Sequence, residues 1–168
     1  NMKTKIYFNT WAKMLLLLLL LIEAVGFFPL RAEAYNPYPK YLNGDSNYIL
    51  CDGHMGIGWY VDRSSLTVQK YEPPQYIIAV NVVTVPNADR GNTAISEVRT
   101  YRFFYNSDLG QMYVDSQLND NWRYLNPRGC WAETGIVMPA GEIAFALAYN
   151  MKFYGSYAGF SDSFYDRI

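Results

Sequence analysis

Reactive side chains are scarce in this sequence. Histidine occurs once, as His54, and cysteine twice, as Cys51 and Cys130. One imidazole, one candidate thiol and a carboxylate such as Asp45 or Asp52 do not reproduce the ligand spacing of a zinc site, so no metal is expected. Asp45-Ser46-Asn47 opens like a calcium loop, but the glycine and the distal glutamate that such a loop requires are missing. Ser64 and Ser65 have no GxSxG setting. No cofactor is expected and no catalytic set can be assembled, which places binding ahead of catalysis. Clustered positive charge is missing as well. Removing residues 1–34 takes Lys3, Lys5, Lys13 and Arg31 from the 14 basic residues and Glu23 and Glu33 from the 15 acidic ones. The balance is then about −3, which argues against a nucleic-acid partner and against adhesion to anionic lipid.

Residues 1–34 have the three parts of a secretory signal peptide. Lys3, Lys5 and Lys13 form a basic head, residues 14–22 a short apolar run, and Ala32-Glu33-Ala34 a small-residue cleavage site. Cleavage is expected after Ala34. A transmembrane anchor is disfavoured because Glu23 interrupts the apolar stretch before it reaches the roughly 20 residues a spanning helix needs. No cysteine stands immediately after the cleavage site, so no acyl anchor is indicated. The expected product is exported, periplasmic or secreted, and touches a membrane only through the signal peptide before cleavage. In an oxidising compartment an even cysteine count suggests a Cys51–Cys130 disulfide. Closing a loop of roughly 80 residues would contribute on the order of 4 kcal/mol.

The mature chain reads as an irregular leader, 35–58, followed by a single domain, 59–168. Pro37 and Pro39 hold the leader extended, and three glycines between Cys51 and Gly58 mark a tight loop. Short strands are expected at 59–62 and 66–71, separated by the turn residues Asp62-Arg63-Ser64-Ser65 and closed by Pro73-Pro74. Residues 76–85 are apolar on both faces except for Asn81, the pattern of a central, doubly covered strand. Residues 95–105 alternate long charged and aromatic side chains, which suits a strand near the sheet edge. Residues 111–115 and 122–125 complete the set. For 139–154 both periodicities are present; the alanines, Leu147, Pro139 in the first turn and Gly155 as a stop favour a helix. The expected class is α+β: an antiparallel meander of five to six strands with one C-terminal α-helix packed on a face.

Aromatic residues make up 17% of the chain, mainly tyrosine. Trp59, Trp122, Phe103, Phe104 and Phe145 are expected to fill the core. Tyr154, Tyr157 and Tyr165 are the candidates for a surface contact region. A small thiol enzyme using Cys51 and His54 is the catalytic alternative, and it fails if Cys51 is bridged.

The segments GWYVDRSSLTV, YIIAVNVVTV, VRTYRFFYN, QMYVD and NWRYL together resemble small exported bacterial proteins of the surface-adhesin protein E-like type. The resemblance covers residues 59–154. It implies an antiparallel sheet with a C-terminal helix and a binding or envelope-structural role; it carries over no ligand-contacting residue. The expected function is an exported, non-enzymatic module recognising a protein or other macromolecule. A carbohydrate-binding module is the alternative, and it would need two or three coplanar exposed rings on one sheet face.

Overall fold

The structure, a computed structural model, describes residues 36–168. The expected signal peptide and its cleavage point lie outside the described residues. Six antiparallel strands pair in sequence order: β1 Tyr48–His54, β2 Ile57–Glu72, β3 Gln75–Val85, β4 Glu97–Asn106, β5 Gln111–Asp115 and β6 Arg123–Tyr124. Three α-helices follow among the described residues: α1 Trp131–Thr134, α2 Val137–Tyr149 and α3 Asp162–Tyr165. The meander and the one long C-terminal helix are both as the sequence predicts.

β3 is central because it can be dry on both sides. Ile78, Val80 and Val82 face α2 together with Val61, Phe103 and Met112, and Ile143, Ala144 and Phe145 of the helix close this main core. On the opposite face Val83 and Val85 join Leu50 and Tyr60, and are covered by Leu42 from the leader and Ala88 from the turn after β3. Gly141 sets the approach of helix to sheet. A Cβ there would stand 2.6 Å from Met112 Sδ and 2.9 Å from Phe103 Cδ1.

The structure corrects four local expectations. First, residues 35–58 are not wholly irregular: Tyr48, Ile49 and Leu50 open β1 and pair with Asp62, Val61 and Tyr60. The tight loop expected around the three glycines is this hairpin, with Gly53 and Gly58 in its strands and Gly56 in its turn. Gly56, at φ +83, turns the chain after Met55, and the Tyr38 ring occupies the space a side chain on Gly53 would fill. Second, the two strands expected at 59–62 and 66–71 are one. Pairing passes from Asp62↔Asn81 to Thr67↔Ala79, so the extra residues form a bulge. Ser65 Oγ accepts the Asn81 N–H at 2.8 Å and donates to the Asp62 carbonyl at 2.7 Å, mending the ladder where the backbone leaves it. Third, β4 is internal in strand order, yet only Arg102–Asn106 pairs with β5; residues 97–101 pair with β3 alone. Its first half is therefore an edge and its second half is not. Fourth, α2 runs from Val137 to Tyr149 and stops at Asn150, in the left-handed conformation at φ 52, ahead of Gly155.

The expected Cys51–Cys130 bridge is absent: both cysteines are free. Cys51 points into the core, where its thiol donates to the Ile136 carbonyl at 3.2 Å, whereas Cys130 is exposed at the start of α1. The polypeptide holds its end by another device. Glu142, fully buried on α2, accepts the N–H groups of Tyr154 at 3.0 Å and Gly155 at 3.2 Å and the hydroxyl of Tyr165. Among the described residues no helix is long and apolar enough to cross a membrane.

Candidate functional site

The sheet face that carries α2 is left partly open beside α1. Register places Trp59, Thr84 and Glu97 in one cross-strand row and Val61, Val82 and Arg99 in the next. Tyr101 stands two residues further along β4. Opposite them, Trp131 of α1 and the Gly135-Ile136 link form a second wall. The cleft between these walls has a volume of about 250 Å3.

Its aromatic wall is continuous with the β1–β2 hairpin. The Trp131 ring lies 6.3 Å from that of Trp59 at 52°, and the His54 ring packs against it at 4.8 Å and 39°. The Trp131 indole N–H donates to Asp52 Oδ2 at 2.8 Å, which fixes the ring while leaving 48% of the residue exposed. The charged rim is a pair on β4, with Arg99 Nη2 3.2 Å from Glu97 Oε1 and both side chains more than half exposed. Burial pushes the Tyr101 phenol up, and the Arg99 guanidinium beside it pulls it partly back. The cleft therefore offers ring faces, an indole held by one hydrogen bond, and one cation–anion pair.

No nucleophile is poised in it. Burial, and then the charge of Asp52, push the Cys51 thiol well above its ordinary range, the opposite of the depression that activates a cysteine. Its hydrogen bond goes to Ile136 rather than to His54, whose ring lies on Trp131. Among the described residues no three His, Cys, Asp or Glu side chains are grouped to hold a metal ion.

The tyrosines predicted as a contact region are dispersed, and one of them is not at the surface. Tyr154 is buried because its hydroxyl serves the core: it donates to the Leu125 carbonyl at 2.7 Å and accepts the Met112 N–H at 3.0 Å. Tyr165 is half-buried on Glu142. Tyr157 is exposed, with the Arg128 guanidinium 4.8 Å above its ring, and it lines no part of the cleft.

Among the expected core aromatics, Phe103 and Phe145 are fully buried, while Trp59, Trp122 and Phe104 are only half so. Phe104 and Trp122 belong to an aromatic row on the sheet face away from α2. Phe104 and Tyr113 are 5.6 Å apart at 31°, Tyr113 and Tyr124 5.6 Å at 58°, and Phe104 and Trp122 5.8 Å at 55°. Trp131, Glu97 and Arg99, which shape the cleft, were not distinguishable as site residues in the sequence. The local signal at Trp131 is only a large ring a few residues after the turn at Pro127-Arg128. No protein-family model, curated protein or solved structure matches the chain.

Proposed function

We propose that this chain is an exported, non-enzymatic binding module whose cleft at Trp59, Trp131, Tyr101 and Arg99 takes side chains of a protein partner. Export rests on the signal-like pattern of residues 1–34, and a binding role agrees with the resemblance to protein E-like adhesins. The observation that carries the reading is the half-exposed Trp131, oriented by Asp52 over a recess with an arginine at its rim. Tryptophan, tyrosine and arginine in a partly desolvated pocket are the residues that dominate protein–protein binding energies.

A carbohydrate platform is the second reading, favoured by the row Phe104, Tyr113, Tyr124 and Trp122 on the other face. Sugar stacking along a flat surface asks for rings in one plane, and tilts of 31°, 55° and 58° break that plane after the first pair. The cleft is therefore the better candidate.

Selection of displayed random peptides on the purified protein separates the two. The cleft reading expects binders that weaken by about 30-fold or more on Trp131→Ala, the loss of a typical hot-spot residue, and that also weaken on Arg99→Ala. Recovery only of peptides indifferent to both substitutions, or of glycan binding that is lost with Trp122→Ala, would overturn it.

A further inference from the structure

Among the described residues the meander has several free strand edges, and all but one are blunted by a bulge, a cover or short length. The outer side of β1 is met by the leader, through the Leu50 N–H to the Lys40 carbonyl at 2.9 Å and a bridge from Tyr41 to Ile49. The free half of β2 carries two register shifts, and β6 is two residues long. Bulges, covering segments and short strands are the usual protections against edge pairing. Residues 97–101 of β4 have no cover and no bulge within them: their register with β3 is unbroken, β5 ends opposite Arg102, and the one shift, the Ser96 N–H to the Thr84 carbonyl at 2.9 Å, lies just before Glu97.

The direction of the backbone groups along that edge follows from the ladder. The Ser107 N–H donates to the Pro74 carbonyl at 2.8 Å, continuing the β3–β4 register as a hydrogen-bonded pair. Bonded and non-bonded pairs alternate in an antiparallel ladder. Glu97, Arg99 and Tyr101 therefore turn their main-chain groups toward β3. Val98 and Thr100 turn theirs outward, where they meet no partner among the described residues. Val98 is 58% exposed and nearby Ile95 41%, which places apolar surface beside these unpaired groups.

We propose that a second copy of this chain adds to this edge, Val98 against Val98 about a two-fold axis, joining the two sheets into one. Backbone parity allows only registers that set even-numbered residues against even-numbered ones. With Val98 opposite its counterpart, each Glu97 faces the Arg99 of the other copy, so the ion pair seen within one strand becomes an alternating square of four charges. The next permitted register, Val98 against Thr100, sets Arg99 against Arg99, and like charges directly opposite are destabilising. The strand is thus complementary to itself in one register. Both clefts then open on the same side of the joined sheet, Arg99 at the rim of each, and a partner would meet two recesses. The inference does not rest on the cleft's having a ligand, since Trp131→Ala removes the aromatic wall and leaves the edge intact.

The test is sedimentation velocity over a dilution series. The wild type is expected to pass from monomer to dimer as concentration rises. Val98→Pro removes an N–H that the protomer does not use, so it should leave a folded monomer with an unchanged circular dichroism spectrum. Glu97→Arg and Arg99→Glu should each weaken self-association at least about 10-fold, because each sets like charges against each other. Mixing those two variants should restore a dimer, as should Glu97→Arg/Arg99→Glu in one chain. A wild type that stays monomeric at every concentration overturns the proposal, as does a dimer that survives Val98→Pro or a pair of charge variants that do not recover on mixing.

Discussion

Gly141→Ala tests the helix–sheet contact directly, because two opposing terms can be weighed from the structure. Glycine within a helix costs about 1 kcal/mol relative to alanine, so propensity alone predicts that the substitution stabilises. The added Cβ, however, would stand 2.6 Å from Met112 Sδ and 2.9 Å from both Phe103 Cδ1 and Cε1. The methionine sulfur can swing aside. The Phe103 ring cannot easily do so, being fully buried in the middle of the sheet beneath Ile143, Ala144 and Phe145. Overpacking of this kind typically costs about 1–3 kcal/mol, so the net expectation is destabilisation by about 1 kcal/mol, or several degrees in Tm for a domain of this size. Urea denaturation followed by circular dichroism should show a lower midpoint at unchanged slope. Phe103→Leu should make room, so that Gly141→Ala costs less in that background than in the wild type. A Gly141→Ala protein as stable as the wild type, or more so, would refute the claim that contact with β4 and β5 fixes the seat of α2.

Three further outcomes follow from buried groups. Glu142→Gln should cost about 1–3 kcal/mol, since an amide can accept only part of what Tyr154, Gly155 and Tyr165 donate, and Glu142→Leu more; limited proteolysis should then cut first beyond residue 150. Asp115 is buried, which raises its pKa, but the N–H groups of Asp120, Asn119, Gln117 and Leu118 together hold it below the usual carboxylate range. Its folded pKa is thus the lower one. Its contribution to stability is full above the unfolded pKa of about 3.9 and is lost as pH falls through the folded value, so Asp115→Asn should flatten the acid limb of the stability curve. Under native conditions one thiol, Cys130, should react quickly with an aromatic disulfide reagent and Cys51 only after unfolding; finding no thiol at all would contradict the unpaired cysteines.

The parts of the fold that were legible in the sequence are those that local pattern determines. Residues 76–85 are β-branched on both faces and became the central strand, and 111–115 match β5. What escaped depends on partners distant in the chain. Asp62-Ser64-Ser65 makes the same local hydrogen bonds in a reversal as in a bulge, and only the Asn81 N–H that reaches Ser65 Oγ decides which. β1 was hidden because its apolar run is only Ile49, Leu50 and Cys51 before Asp52 and Gly53 interrupt it. Tyr154 looked like surplus surface, yet its hydroxyl is claimed by Leu125 and Met112, and no spacing near residue 154 announces them. The cleft was still less readable, since Trp59, Arg99 and Trp131 converge only through strand register and the placement of α1.

The clasp on Glu142 has a temporal consequence. Every donor that satisfies this carboxyl group is encoded downstream of it, the last at Tyr165, whereas all six strands lie upstream. On a chain made from the amino end, the β-layer can assemble while the segment destined to roof it still carries an acid with nothing to quench it. The acid cannot be buried with all its donors in place until the final aromatic turn has been made.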